Sequence, residues 1–252
     1  MALLWPGRAQ ATSGQKLSFP LRGQTLTLTV YRPAVPPKGT IVMGSGDAGW
    51  VGLAVTMSEF LCDQGYLVVG FNVRQYLAAF TAGSRHVEVA DARADYQAMS
   101  ELLTREGLLH HPVVLSGVSE GAALAVVGAG DPKSRAWVDG VVTMGLPATA
   151  ELAWRWMDFT ALVTKRDAKE PSFAPDAYVG AVSPVPLAMI QSSTDEYATD
   201  ADRARLLSAA KTPKKMVMIA AGNHRFTDKL PELRTELLAA IGWAGTAGAR
   251  PE

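Results

Sequence analysis

The chain has 252 residues, with 24 Lys and Arg against 24 Asp and Glu, and 48% of it is hydrophobic. Ample apolar content and zero net charge exclude intrinsic disorder, and the single cysteine, Cys62, excludes a disulfide scaffold. The balanced charge argues against a nucleic-acid binder, and no apolar run approaches the roughly 18 residues of a membrane span. We expect a soluble globular protein with a sizeable core.

The two ends of the chain are expected to lie outside the folded domain. Residues 1–14 are interpreted as a disordered or trimmed export segment, because an Ala-Gln-Ala at positions 9–11 resembles a signal-peptidase site after a short apolar stretch. Residues 245–252 consist mostly of Gly, Ala, Arg and Pro and predict a flexible tail. A single domain is therefore expected over residues 15–244.

Strand-like and helix-like segments alternate along most of the chain, judged by short apolar runs and by apolar residues at helical spacing. In chain order the predicted elements are strands 26–31 and 40–43, a helix over 53–61, a strand over 66–71, a helix over 92–103, a strand over 112–115, a helix over 122–127, strands 140–144 and 187–191, a helix from Thr199 with Asp202 as its capping partner, a strand over 215–220 and a helix over 230–241.

This alternation predicts an α/β architecture with a mostly parallel central sheet and helices on both faces. The segments before Thr40 have no helix between them, so they are expected to form an antiparallel edge. Residues 145–183 are richer in Trp, Pro and charge and are interpreted as a short inserted cap rather than a second domain.

A first glycine motif, G-S-G-D-A-G at residues 44–49, lies between a predicted strand and a predicted helix. It matches G-x-G-x-x-G, in which bare backbone approaches a pyrophosphate at a helix start. The next strand should then end in an acidic residue, but residues 71–74 read F-N-V-R. Arg74 is compatible with a 2′-phosphate, so an NADP-dependent oxidoreductase stays open as an alternative.

A second motif, G-V-S-E-G at residues 117–121, lies between the strand at 112–115 and the helix at 122–127. It matches G-x-S-x-G, the nucleophile elbow, in which a sharp turn lifts a serine above the end of the sheet. Ser119 is the predicted nucleophile. A helix N-cap serine flanked by glycines is the simpler alternative reading of the same residues.

A serine nucleophile needs a base and an orienting acid, which follow it in the chain order Ser, Asp or Glu, His. Of the four histidines only His224 comes after Ser119, and it directly follows the last predicted strand. The strand before that runs out into Asp195 and Glu196. We predict Asp195 as the acid, with Glu196 as the alternative.

The elbow also gives the first glycine motif a second meaning. Acyl transfer needs two backbone N–H donors that stabilise the developing oxyanion. One is expected from Glu120, the residue after the nucleophile, and the other from Asp47 or Ala48 in the glycine loop.

Residues 39–243 resemble an α/β-hydrolase-fold serine hydrolase, and G-D-A-G-W at 46–50 resembles the G-D-G-G-W signature of the bacterial VirJ/AcvB virulence-protein family. Further landmarks that resemble this family are Arg74, Tyr76, the pair at 195–196, and His224 with Phe226. The chain departs from that family's usual G-x-S-F-G-A-D elbow by carrying glutamate after the serine. The resemblance implies hydrolysis of aminoacyl esters of phosphatidylglycerol and a periplasmic or secreted location.

From the residues alone the location stays open between the cytoplasm and export, as do the oligomeric state and the exact ester. No cofactor or metal is expected, and the expected partner is a small-molecule or lipid ester. A non-catalytic, hydrolase-like binding protein is a further alternative. The candidate substrate-binding residues, chosen for their position at strand ends or in the cap, are Trp50, Arg74, Tyr76, Trp154, Trp156 and Glu196.

Overall fold

The computed structural model of the chain describes residues 14–155 and 171–247. Its strands alternate with helices, as the sequence predicts. The strands are β1 (Gln15–Leu21), β2 (Gln24–Tyr31), β3 (Thr40–Gly44), β4 (Leu67–Phe71), β5 (Val113–Val118), β6 (Gly140–Met144), β7 (Ala150–Glu151), β8 (Ser172–Phe173), β9 (Leu187–Ser192) and β10 (Lys214–Ile219).

Eight of these strands form one sheet in the order β1-β2-β4-β3-β5-β6-β9-β10. The six strands from β4 to β10 pair in parallel, while β1 and β2 pair antiparallel at one edge. The predicted antiparallel edge is therefore confirmed. Because the six parallel strands run in the same direction, the loops after β3, β5, β6, β9 and β10 all emerge at one edge of the sheet.

Helices cover both faces of the sheet and bury its apolar strands. They are α1 (Leu53–Asp63), α2 (Val73–Phe80), α3 (Val89–Arg105), α4 (Glu120–Ala129), α5 (Asp176–Val179), α6 (Asp200–Ala209) and α7 (Leu230–Ala247). One core cluster packs α3 and α4 against the sheet, and the other packs α1 and α7 against its opposite face. Within residues 14–155 and 171–247, no helix combines the length and the hydropathy that crossing a bilayer requires.

Several elements differ from the sequence expectations. The predicted strand over 66–71 ends at Phe71 as expected, but the helix α2, which was not predicted, begins at Val73 after Asn72 accepts a hydrogen bond from the backbone of Gln75. At the other end of the chain, α7 continues to Ala247 and so includes three residues of the segment expected to be a tail. The reciprocal capping of Thr199 and Asp202 is confirmed.

Three glycines let the end of β3 and the start of α4 pack backbone against backbone. A Cβ atom on Gly121 would lie 2.4 Å from the carbonyl carbon of Gly44, and one on Gly117 would lie 2.2 Å from the carbonyl carbon of Gly121. Real Cβ atoms do not approach backbone this closely, so any side chain here would push the loop after β3 away from the turn after β5.

Substitution of Gly121 by alanine is therefore expected to destabilise the fold. We expect Gly121→Ala to lower the free energy of unfolding by about 1–3 kcal/mol or more, because the added methyl group overlaps backbone that cannot rotate away. Gly242→Ala is the matched control, since nothing lies within 4 Å of a Cβ at this position in α7. It should stabilise the helix by about 0.5–1 kcal/mol. Urea unfolding measures both, and equal stability of the two variants would contradict the packing argument.

Candidate active site

Ser119 occupies a strained turn between β5 and α4. Its backbone has φ 53° and ψ −119°, in the left-handed region that side chains rarely adopt. Its N–H donates to the carbonyl oxygen of Met144 at the end of β6, at 3.1 Å. Ser119 therefore lies at the carboxyl edge of the sheet, where the elbow prediction puts it.

His224 and Asp195 form a buried pair at the same edge. Nδ1 of His224 lies 2.8 Å from Oδ2 of Asp195, and the two side chains are 5% and 0% exposed. An ionised carboxylate only accepts hydrogen bonds, so Nδ1 carries the proton and donates it to Asp195. In the neutral imidazole, Nε2 is then the acceptor, as a general base requires.

Gly145 carries the imidazole of His224 on the turn that follows β6. The residue follows Met144, has φ +60°, and a Cβ built on it would lie 2.8 Å from Cε1 of the His224 ring. Ser119 is bound to the backbone of Met144 and the imidazole rests on Gly145, so both groups pack on the same turn. Nε2 of His224 is buried and has no hydrogen-bond partner among the described residues.

The loop after β9 holds the pair in place through its backbone and its next two side chains. Glu196 accepts a hydrogen bond from the N–H of His224 at 3.1 Å, and the N–H of Tyr197 donates to Oδ1 of Asp195 at 2.8 Å. The Tyr197 ring meets the imidazole edge-on, with 4.8 Å between ring centroids. Of the two candidate acids, Asp195 therefore contacts the imidazole and Glu196 contacts the backbone.

The glycine loop after β3 approaches the elbow at Asp47. The Asp47 N–H donates to Oε2 of Glu120 at 3.2 Å. Burial, and secondly the negative charge of Asp47, raise the pKa of the Glu120 carboxyl above its usual range, against hydrogen bonds from the Glu120 and Asp47 amides and from Ser119. The two predicted oxyanion amides and the nucleophile thus face a common space.

Three of the candidate substrate residues lie in two aromatic contacts near this loop. Trp50 packs on Gly70 of β4, where a Cβ would lie 2.1 Å from the indole, and its Nε1 donates to the hydroxyl of Tyr31 at 3.2 Å. Arg74 lies against the backbone of Gly49, and its guanidinium stacks over Trp154 at 4.2 Å from the ring centroid. Arg74 and Trp154 therefore form one stacked surface beside the glycine loop, whereas Trp50 packs that loop against the sheet.

Tyr76 and Trp156 have different outcomes. Tyr76 was expected at a strand end facing a pocket, but it lies in α2, is 1% exposed, and donates from its hydroxyl to Asp95 at 2.7 Å. Helical geometry, rather than strand geometry, turns this side chain into the core, where Asp95 also binds Arg22. Trp156 lies outside the described residues, as does most of the central part of the predicted cap.

Gly145 and Tyr197 are site features that the sequence reasoning missed. Glycine directly after a buried parallel strand is a readable signal for close backbone approach, and it was available for Gly145. The position of the Glu120 carboxylate depends on the meeting of two loops distant in sequence, and no local pattern encodes it. Among the described residues, no group of three or more His, Cys, Asp or Glu side chains is placed to hold a metal ion.

Comparisons with known proteins agree with this architecture. The model of a family described as bacterial virulence protein (VirJ) matches residues 39–243. The uncharacterized protein YfhR of Escherichia coli O157:H7 is 25% identical over 201 residues, which cover 78% of this chain and 67% of the relative.

Solved structures extend the likeness to nearly the whole chain. The esterase domain of a Rhodothermus marinus protein has a TM-score of 0.64 at 23% identity, covering 93% of this chain and 99% of that one. An alpha-beta serine hydrolase homologue from Coxiella burnetii has a TM-score of 0.62 at 17% identity, covering 90% and 97%. The predicted α/β-hydrolase fold is therefore confirmed.

The buried contact of Tyr76 gives a pH-dependent prediction. Tyr76→Phe should destabilise the protein by about 1–3 kcal/mol at pH 7.5, because it removes a donor from the buried Asp95 carboxylate. Burial already raises the pKa of Asp95, and the Tyr76 hydrogen bond and the Arg22 charge oppose that rise. Loss of the Tyr76 hydrogen bond should raise the pKa of Asp95 further. A carboxyl whose pKa is raised in the folded state makes stability fall as pH rises through that pKa, so Tyr76→Phe should lose more stability at pH 7.5 than at pH 4.

Thermal unfolding across this pH range measures the effect. Tyr66→Phe is the control, since no hydrogen bond of that hydroxyl is found within the described part of the chain, and it should change stability by less than about 0.5 kcal/mol. A loss in Tyr76→Phe that is independent of pH would contradict the role of Asp95.

Proposed function

Because this chain belongs to the VirJ family of bacterial virulence proteins and has the α/β-hydrolase fold, we propose that it is a serine hydrolase that cleaves a carboxylic ester through an acyl-enzyme. One observation carries the proposal. The imidazole of the buried Asp195–His224 pair rests on Gly145, the residue after Met144, and the carbonyl oxygen of Met144 accepts the N–H of Ser119 in its strained turn. A structural serine at a helix start needs neither the strain nor an oriented imidazole beside it.

In the first half of the proposed reaction, Oγ of Ser119 attacks the ester carbonyl carbon while its proton moves to Nε2 of His224. Asp195 keeps the proton on Nδ1 and stabilises the imidazolium that forms. The tetrahedral intermediate then collapses: the bond from carbon to the alcohol oxygen breaks, and His224 returns the proton to the departing alcohol. The product of this half is an ester of the acyl group with Ser119.

In the second half, a water molecule takes the place of the alcohol. His224 removes a proton from this water as it attacks the acyl carbon, and then donates the proton to Oγ of Ser119 as the acid is released. In both halves the negative charge develops on the carbonyl oxygen. The N–H groups of Asp47 and Glu120 are the donors proposed to stabilise it, because backbone donors fixed in advance need no reorganisation during reaction.

The surroundings of the site favour an ester that carries a positive charge or an apolar group, such as an aminoacyl or lipid ester. The phenol of Tyr197 lies within electrostatic range of three carboxylates, those of Glu196, Asp47 and Glu120, and of one cation, Arg225. Val51 and Tyr197 are 58% and 55% exposed and give the nearby loops an apolar surface. Acidic groups near the nucleophile attract an ammonium, and exposed apolar side chains suit an acyl chain.

The alternative of an NADP-dependent oxidoreductase is disfavoured by the use of the glycine loop. Gly44 makes room for Gly121 of the elbow, and the N–H of Asp47 is directed to a carboxylate of the same chain. A pyrophosphate would need these amides and would face Glu120. A non-catalytic binding protein is the remaining alternative, and it has no use for an unpartnered, buried Nε2 on His224.

Replacement of the nucleophile tests the proposal. Ser119→Ala should lower kcat for hydrolysis of p-nitrophenyl butyrate by at least about 10³-fold, because the attacking oxygen is lost. A fluorophosphonate probe should label wild-type protein on Ser119 and leave the variant unlabelled, as read by peptide mass spectrometry. Ser208→Ala, at an exposed position of α6, is a control outside the site and should keep both properties. Full esterase activity in Ser119→Ala would exclude the mechanism.

Substitutions of the adjacent Asp195 and Glu196 form a matched pair that tests which carboxylate is the third member of the triad. Asp195→Asn should reduce kcat by about 10³–10⁴-fold, since an amide no longer holds the imidazole in the required tautomer. Glu196→Gln keeps an oxygen that accepts from the His224 N–H, so kcat should fall by less than about tenfold. Steady-state kinetics at pH 8 measures both. A larger loss in Glu196→Gln than in Asp195→Asn would reverse the assignment.

A further inference from the structure

The side chain of Glu120 reaches back over its own turn to the site proposed for the oxyanion. Oε2 accepts the N–H of Asp47 at 3.2 Å. A Cβ built on Gly46 would lie 3.7 Å from this oxygen and 3.5 Å from Cβ of Ser119. The carboxylate oxygen therefore lies over the bare backbone of Gly46, directly beside the nucleophile.

The donor that this oxygen occupies is one that a substrate carbonyl would need. The Asp47 amide donates to the Glu120 carboxylate, and the Glu120 amide and the Ser119 side chain also act to lower its pKa against the effect of burial. A carboxylate oxygen bears a partial negative charge at a trigonal carbon, much as the carbonyl oxygen of an ester does when it approaches the transition state. Two such oxygens cannot share the same donors in the same space.

We propose that the Glu120 carboxylate is an internal occupant of the oxyanion site, which an ester must displace, and that it makes Glu120 a specificity-determining residue that disfavours anionic acyl groups. The inference rests on the proposed function, since it concerns the same two amides. It adds that the Glu120 carboxylate fills the oxyanion site before a substrate enters. Neutral esters displace the carboxylate at a modest cost in binding free energy. Cationic groups attract the carboxylate away from the amides and bind more easily, whereas anionic groups are repelled by it and bind less well.

Displacement of an occupant is a binding cost. The carboxylate is absent from the site in the Michaelis complex and in the transition state alike, so its removal should change KM and leave kcat nearly constant. A side chain that instead supported the loop through the Asp47 amide would have the opposite signature, because its removal would misplace an oxyanion donor and lower kcat.

The charged groups around this carboxylate determine its pH behaviour. Asp47 faces it from the loop after β3, and Tyr197 from the loop after β9. Glu196 and Arg225 act on the same phenol from the loops after β9 and β10. Burial and the Asp47 charge destabilise the ionised form of Glu120. Its carboxyl is therefore protonated at a higher pH than that of an exposed glutamate, and protonation weakens its hold on the Asp47 amide. The benefit of removing the carboxylate should therefore increase as pH rises.

Kinetics of Glu120→Ala and Glu120→Gln test the proposal, with the exposed Glu101→Ala of α3 as control. With p-nitrophenyl butyrate at pH 8, Glu120→Ala should lower KM by about 3- to 10-fold, the equivalent of one hydrogen bond, at a kcat within about twofold. With the p-nitrophenyl monoester of glutaric acid, which is anionic, the gain in kcat/KM should be larger. Acetate should inhibit Glu120→Ala competitively and wild-type protein much less.

A readout that does not need turnover accompanies the kinetics. Because the pKa of Glu120 is raised in the folded state, its ionisation reduces stability as pH rises through that pKa. Glu120→Gln, which retains an acceptor for the Asp47 N–H, should have a higher Tm than wild-type protein at pH 8, and the difference should close towards pH 4.

The outcomes separate the two proposals. An active wild-type enzyme whose Glu120→Ala variant has a lower kcat at unchanged KM would overturn the internal occupant and leave the hydrolase intact. Absence of esterase activity and of Ser119 labelling in wild-type protein would overturn the proposed function. Equal Tm values of Glu120→Gln and wild-type protein at both pH values would contradict the stated pH dependence, because the ionised carboxylate would then carry no cost in this site.

Discussion

Backbone contact between Gly44 and Gly121 is the constraint on which the site depends. The end of β3 and the first turn of α4 approach so closely that a single methyl group on either glycine would meet main-chain atoms at 2.8 Å or less. This contact sets the distance between the glycine loop and the elbow, and hence between the amides of Asp47 and Glu120. Gly44, which belongs to the dinucleotide-like motif in the sequence, is used here to join two loops of one site.

Two further glycines leave space that neighbouring side chains fill. Gly145 has no side chain, and the imidazole of His224 lies in that space, while Gly70 similarly accommodates the indole of Trp50. Asp195 and Glu196 then bind the ring and the backbone of His224 respectively. The imidazole of His224 is therefore fixed by packing below it and by hydrogen bonds beside it, which limits the freedom it would lose if it acted as the proposed base.

The same region concentrates features that are unfavourable for stability. Ser119 has a backbone conformation that costs about 1–3 kcal/mol in other proteins, Glu120 has a raised pKa, and Nε2 of His224 is buried without a partner among the described residues. The apolar strands and the two core clusters compensate for these costs. Local strain, an orphaned polar atom and a disfavoured charge at one sheet edge are together the pattern expected of a reactive site.

Much of this arrangement could be predicted from the sequence, for reasons that also explain the exceptions. Parallel strands deliver their following loops to one edge, so residues as distant as Ser119, Asp195 and His224 could be grouped from strand ends alone. Tyr76 was misplaced because α2 is short and directly follows a strand, and only Asn72 with Gln75 marks its start. The carboxylate of Glu120 could not be placed, because its partners belong to loops whose separation is known only once the fold is formed.

The most direct test of the account is a crystal structure of the protein after reaction with diethyl p-nitrophenyl phosphate, whose phosphorus is attacked by a serine with loss of p-nitrophenolate. The account predicts a diethylphosphoryl group on Oγ of Ser119, with its phosphoryl oxygen within hydrogen-bond distance of the N–H groups of Asp47 and Glu120. The Glu120 carboxylate should have left this site, and Nδ1 of His224 should still bind Asp195. An unmodified Ser119, or a phosphoryl oxygen directed away from these two amides, would contradict it.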